Sequence, residues 1–248
     1  MSENIDNTSN QSPETPTQAR QVITVHLQNI PLLKGLPAEL LNEIGKRMIF
    51  RSYPKNSFVL HKGGKADFLI FLLSGQLQVI DISSDGRIVG LSFLNPGDYA
   101  GELSIIDGKP RSASVVASEN SLVALLPRLD ARRLIYTQPL LAERTLISLA
   151  TKVRISTTYR AILGIPNAAQ RFYAFIQQLA KKGVGNLITI ENCPNQQELA
   201  SMVNVRRETV SRALKILFEQ NIIEKDGKRL IIRNAERLNE LANTTTKI

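Results

Sequence analysis

NQQELASMVNVRRETVSRALKILF, residues Asn195–Phe218, holds two short helical patterns separated by a turn. Asn195 stands three residues before Glu198, the spacing of a capping box in which each side chain satisfies the other residue's backbone N–H. That predicts a helix through Met202, a tight turn at Asn204-Val205 and a second helix from about Arg206 to Gln220. On the second helix Val210, Ala213, Leu214, Leu217 and Phe218 recur at i, i+3, i+4, i+7 and i+8, the stripe of a core-facing helix. The opposite face collects Arg207, Glu208, Ser211, Arg212 and Lys215. Two helices joined by so short a turn form a helix-turn-helix frame. An Arg fork can donate two bonds to guanine O6 and N7, and a Glu can accept from the cytosine amino group, so this face suits a major groove. An amphipathic surface helix with i,i+4 ion pairs gives part of the same pattern; the preceding helix and the hairpin that follows favour the reading form.

That hairpin is Ile222-Ile223-Glu224-Lys225 and Arg229-Leu230-Ile231-Ile232 around Asp226-Gly227. Upstream, Ala168–Ala180 predicts a helix with Phe172, Phe175, Ile176 and Leu179 on one face. Between Gly164 and Ile248 there are 13 Lys plus Arg against 8 Asp plus Glu, a difference of +5 within a chain of net charge +9. A basic third suits a polyanion partner, although a solvated basic face gives the same count.

Gly164-Ile165-Pro166-Asn167 breaks the pattern and marks a boundary. Before it, Asp130–Leu163 carries few turn signals and predicts one long helix. Its stripe of Leu146, Leu149, Val153, Ser156, Arg160 and Leu163 suits either a coiled-coil dimer seam or packing on the helix's own domain.

Between Tyr53 and Leu126 short β-rich runs (57–60, 68–73, 76–80) alternate with turn signals such as Lys62-Gly63-Gly64, Asp85-Gly86 and Asn95-Pro96-Gly97-Asp98. Closely spaced strands of this kind predict a small sandwich or roll. Its densest stretch is LNPGDYAGELSIIDGKPRSASV, Leu94–Val115. Gly101 lets backbone approach a ligand. Glu102 can accept from a ribose 2′-hydroxyl, and the turn Leu103–Ile106, with Ser104 inside it, can present N–H groups to an anion. Arg111 offers a cationic fork for a phosphate and Ser112 a hydroxyl or N–H. Val22–Phe50 reads as helical, and residues 1–20 read as a polar, disordered tail.

An apolar share of 43% with no run of the roughly 20 residues needed to span a bilayer argues for a cytoplasmic globular chain without a membrane partner. Cys193 is the sole cysteine, which removes disulfide frameworks and thiolate clusters. A haem or iron–sulfur sensor has only Cys193, His26 and His61 to draw on, and no metal site or catalytic triad is apparent, so an enzyme is not expected.

The string Gln197–Leu214, with its Arg-Glu-Thr-Val-x-Arg core, resembles the winged helix-turn-helix of the cyclic AMP receptor protein (Crp/Fnr) superfamily, and Leu94–Val115 resembles the phosphate-binding cassette of cyclic-nucleotide-binding domains. Together the resemblances cover roughly Thr24 to Asn234. They imply an α+β architecture: an N-terminal cyclic-nucleotide-binding, jelly-roll-like β-roll (21–130), a long dimerisation helix (131–163) and a C-terminal winged helix-turn-helix (164–248), after the tail 1–20. They imply a homodimeric regulator on double-stranded DNA, with Arg207, Glu208 and Arg212 reading a TGTGA-like palindrome, Ser211 and Lys215 beside them, and contacts with RNA polymerase. Arg206, where relatives often carry a small Ser, costs a cap or gains a phosphate contact. In the cassette Gly101, Glu102, Arg111 and Ser112 form the binding set, supported by Leu103 and Ala113. The base-contacting Thr-Ser pair of cyclic-AMP-responsive relatives falls here on Val153-Arg154; the nearest hydroxyls are Ser156 and Thr157. That departure leaves the nucleotide open: the resemblance puts cyclic AMP first, followed by cyclic GMP, cyclic di-GMP or none. A regulatory subunit of an enzyme or channel would share the roll but not the helix-turn-helix.

Overall fold

The computed structural model describes residues 27–183, 185 and 187–243; the expected tail and the start of the helical stretch at Val22 lie outside them. After a turn-rich lead-in the chain forms α1 (Ala38–Arg47) and then β1 (Ile49–Tyr53), β2 (Phe58–Leu60), β3 (Phe68–Ser74), β4 (Leu77–Ile82), β5 (Ile88–Leu94) and β6 (Tyr99–Ala100). A short helix α2 (Glu102–Asp107) precedes β7 (Ser114–Ala117) and β8 (Ser121–Pro127). These strands make two antiparallel four-stranded sheets, ordered β1-β8-β3-β6 and β2-β7-β4-β5.

The continuous apolar run of β3 is explained by burial on both faces. Ile70 and Leu72 meet Leu77, Leu94, Val115 and Val123 between the sheets. Leu69 and Phe71 face the other way, onto Leu41 and Ile44 of α1 and onto Ala131, Leu134 and Ile135 of a following helix. Full burial of each such side chain is worth about 1.5–3 kcal/mol. β1 was not legible as a strand, and Phe50 belongs to it rather than to the preceding helix. It is an exposed edge strand that follows α1 with only Met48 between them and pairs with β8 alone. At the Asp85-Gly86 turn the left-handed residue is Gly86, at φ +79°.

The stretch expected as one long helix from Asp130 is two, α3 (Arg128–Thr137) and α4 (Pro139–Leu163). Gln138 lies between them in extended backbone, because Pro139 supplies no N–H and restricts the residue before it. α4, at 25 residues, runs about 37 Å. On its inner face Leu141 and Thr145 are buried, and Lys152 and Tyr159 reach Glu102 and the Gly90 carbonyl of the roll, while Leu146 and Val153 of the expected stripe stand exposed.

Beyond the Pro166 break, Asn167 caps α5 (Ala168–Leu179) by accepting from the backbone N–H groups of Ala169 and Gln170. α6 (Gln196–Val203) and α7 (Arg207–Glu219) follow. The hairpin β11 (Ile223–Asp226) and β12 (Arg229–Ile232) pairs with β10 (Ile188–Ile190), which pairs with β9 (Lys181–Lys182), and α8 (Ala235–Asn243) closes the domain. Phe172, Phe175, Leu199, Val203, Val210 and Leu217 lie in one core.

The two domains touch within the chain. α6 packs on β5 at Gly90, where a Cβ would come within 2.5 Å of Met202 Sδ. Gln76, buried in the roll, donates to the Asn192 carbonyl at 2.8 Å.

Candidate functional site

Gly101 follows β6 as the N-cap of α2 at φ +92°, in the left-handed region, and a Cβ there would collide with Arg111 Nη1. Conformation and close approach both demand glycine. The Arg111 guanidinium, only 4% exposed, donates from Nη1 to the Gly101 carbonyl at 2.9 Å and from Nη2 to the Phe68 carbonyl at 2.5 Å. Backbone bonds from Gly63 N–H to the Arg111 carbonyl and from Arg111 N–H to the Gly64 carbonyl tie the Lys62–Gly64 turn to it. Its Nε is buried and has no partner among the described residues. Burial draws the guanidinium below its usual pKa, opposed by Asp67 and Glu102. A cation held out of water with a spare donor is a fit for an anionic oxygen.

Glu102 is equally buried, at 4%, and Ser104 is buried with its hydroxyl donating to the Pro110 carbonyl. The structure thus brings Gly101, Glu102 and Arg111 together. Ser112 lies exposed and Ala113 half-buried beside them, and Leu103 points outward at 48% exposure. Ser156 and Thr157 are exposed on α4, and the Thr157 hydroxyl donates to the Val153 carbonyl of its own helix at 3.1 Å. The residue of α4 that does reach the cassette was missed in the sequence: Lys152, whose Nζ lies 2.7 Å from Glu102 Oε1 and 4.9 Å from the centre of the Tyr99 ring. Its only sequence signal was its place one residue before the Val153-Arg154 pair.

At the other end the capping box forms as read: Asn195 Oδ1 accepts from Gln197 and Glu198 N–H, and Glu198 accepts from Asn195 N–H. Asn204 turns the chain in the left-handed region at φ +50°. Arg206 occupies the N-cap position of α7 with no side-chain cap bond. Arg207, Glu208, Ser211, Arg212 and Lys215 stand exposed on one face, opposite buried Val210, Ala213, Leu214 and Leu217. Phe218, expected on the buried stripe, is 38% exposed at its margin. Lys215 pairs with Glu219 at 3.6 Å on the surface, worth a few tenths of a kcal/mol. His26 lies outside the described residues, and His61 stacks on Phe58 with ring centroids 4.5 Å apart. Among the described residues no group of three or more His, Cys, Asp or Glu could hold a metal, and no helix is long and apolar enough to cross a membrane.

Residues 50–138 match the cyclic nucleotide-binding domain family, and residues 170–241 match the Crp-like helix-turn-helix domain family. The cyclic AMP receptor protein of Thermus thermophilus is 30% identical over 216 residues, covering 87% of this chain and 98% of that protein. Among solved structures, FixK2 from Bradyrhizobium japonicum superposes with a TM-score of 0.68 at 22% identity, covering 80% of this chain and 98% of FixK2. The c-di-GMP-responsive global regulator CLP of Xanthomonas campestris has a TM-score of 0.57 at 22% identity, covering 75% of this chain and 94% of its own. The two solved structures share the fold.

Proposed function

From its membership of the Crp/Fnr superfamily of cyclic-nucleotide-binding, DNA-binding transcription regulators, to which this chain belongs, we propose that it acts as a cytoplasmic homodimer whose grip on DNA is set by cyclic AMP. The observation that carries the ligand reading is the buried Arg111 guanidinium with an unpartnered Nε beside the buried Glu102 carboxylate. Arg111 would hold the cyclic phosphate and Glu102 would accept from the ribose 2′-hydroxyl. Gly101, Leu103, Ser104, Ser112 and Ala113 shape the walls. Arg207, Glu208 and Arg212 would read a TGTGA-like half-site, with Arg206, Ser211 and Lys215 positioning the helix on the backbone. The sensor would span 21–138, ending with α3, followed by the long helix α4 (Pro139–Leu163) and the DNA-binding domain 164–248.

Dimerisation is assigned to α4. Leu146 and Val153, seven residues apart and so on one side of the helix, stand 67% and 66% exposed, an apolar stripe that a second copy would cover. Half-sites one turn apart need recognition helices about 34 Å apart, so a modest rotation of the domains would abolish binding. The ligand shifts that equilibrium only by its differential affinity for the two arrangements. RNA polymerase is the further partner expected of such a regulator.

A second reading keeps the fold and changes the ligand to cyclic di-GMP. It is favoured by Val153-Arg154, which stand where the resemblance puts the Thr-Ser pair of cyclic-AMP-responsive relatives, and by the fold shared with the c-di-GMP-responsive CLP. Calorimetric titration with cyclic AMP, cyclic GMP and cyclic di-GMP separates these readings. Micromolar cyclic AMP binding that is lost in Arg111→Ala supports the first; heat with cyclic di-GMP alone supports the second. No heat with any of the three removes the ligand-gated account.

A further inference from the structure

We propose that Lys152 is the long-helix member of the ligand site, exchanging its bond to Glu102 for the ligand and so reporting occupancy to the DNA-binding domain. This rests on the cyclic-nucleotide reading above. The Glu102 side chain is 6% exposed and that of Lys152 44%, so a buried carboxylate is met by an ammonium whose stem remains free to move. The Tyr99 ring beneath that ammonium adds a second, weaker hold. A ribose hydroxyl arriving at Glu102 competes for the same oxygen atoms. The displaced ammonium then lies next to a ligand that carries a negative phosphate and several acceptors. Where the resemblance leads one to look for neutral hydroxyls, this helix supplies a charge.

The same face of α4 carries the output. Tyr159, seven residues beyond Lys152 and therefore about 10 Å along the same side of the helix, has its hydroxyl 3.2 Å from the Gly90 carbonyl of the roll. That hydroxyl also donates to the Met202 carbonyl of α6. One helix face is thus tied to the cassette through Lys152 and to the helix-turn-helix through Tyr159. A change of partner at Lys152 alters where α4 sits against the roll, and Tyr159 lies between that movement and α6.

The test measures affinity for a labelled duplex with two inverted TGTGA half-sites, with and without saturating cyclic AMP, in the full chain, Lys152→Met and Lys152→Arg. Cyclic AMP binding is followed separately by calorimetry. The wild-type chain should change its duplex affinity at least about fivefold on ligand binding, the lower end of ordinary allosteric coupling. Lys152→Met should bind cyclic AMP more weakly and, once saturated, show a change in duplex affinity below about twofold, and Lys152→Arg should couple as the wild type does. In the wild type, 2′-deoxy cyclic AMP, lacking the competing hydroxyl, should fail to shift duplex affinity even at saturation. The proposal is overturned by a Lys152→Met chain that couples normally, or one that no longer binds cyclic AMP, which makes the lysine a strut. It is also overturned by a Lys152→Arg chain as uncoupled as Lys152→Met, or by full coupling with the 2′-deoxy ligand. A wild-type chain that binds no cyclic AMP instead removes the functional reading on which the proposal stands.

Discussion

Gln78, in the roll, donates from Nε2 to the hydroxyl of Ser201, in the first helix of the helix-turn-helix, at 3.0 Å. The glutamine is buried and lies 123 residues from its partner in the chain, so the bond exists only where the two domains are docked. Gly90 is the close point of that interface: a Cβ would stand 2.5 Å from Met202 Sδ, 2.9 Å from Gln78 Nε2 and 3.0 Å from Ser201 Oγ. Gly90→Val should therefore push α6 off the roll, costing about 1–3 kcal/mol of the docked state. Limited proteolysis should show faster cleavage at the Gly164–Asn167 connection; unchanged cleavage would mean that the interface yields without separating.

Arg207 and Arg206 are adjacent and exposed, yet different effects are expected from them. Arg207→Ala should cost about 1–3 kcal/mol on the matching palindrome and relax preference at one base pair. Arg206→Ala, at the helix start, should weaken binding to all duplexes alike and lower the salt slope by about one. Competition with single-base variants at two salt concentrations separates them, and a shared pattern would merge their roles.

Cys193 is pushed up to about 11 by burial. An unfolded thiol titrates near pH 8.5, so between about 8.5 and 11 the unfolded chain gives up a proton that the folded chain keeps. Stability must then fall as pH rises through that window. Tyr159, pushed up to about 12 by burial, continues the trend above pH 10. Denaturant unfolding should show a larger loss from pH 8 to pH 10 in the wild type than in Cys193→Ala, by on the order of 1 kcal/mol. An equal or smaller loss in the wild type would count against a raised thiol pKa at half-buried Cys193.

What could be seen in the sequence was whatever depends on neighbours in the chain. The capping box of Asn195 and Glu198, the turn at Asn204 and the apolar stripe of α7 are all local, and the cassette from Gly101 to Arg111 closes over a loop of ten residues. Phe218 strayed from its stripe because it lies at the flank, about 100° round the helix from fully buried Leu217. The break at Gln138 was written in Pro139 but masked by helical residues on both sides. Lys152 with Glu102, and Gln78 with Ser201, pair across 50 and 123 residues, and no periodicity encodes such meetings. β1 gave no signal because an exposed edge strand needs no apolar alternation.

The most direct test of ligand-gated DNA binding is fluorescence anisotropy of a duplex bearing an inverted pair of TGTGA half-sites, titrated with the full chain and with Arg111→Ala, each with and without cyclic AMP. The expected result is a gain in affinity of at least about fivefold on adding cyclic AMP to the wild type, and none in Arg111→Ala. Equal, tight binding by both proteins in the presence and absence of cyclic AMP would contradict it and leave a constitutive DNA-binding regulator.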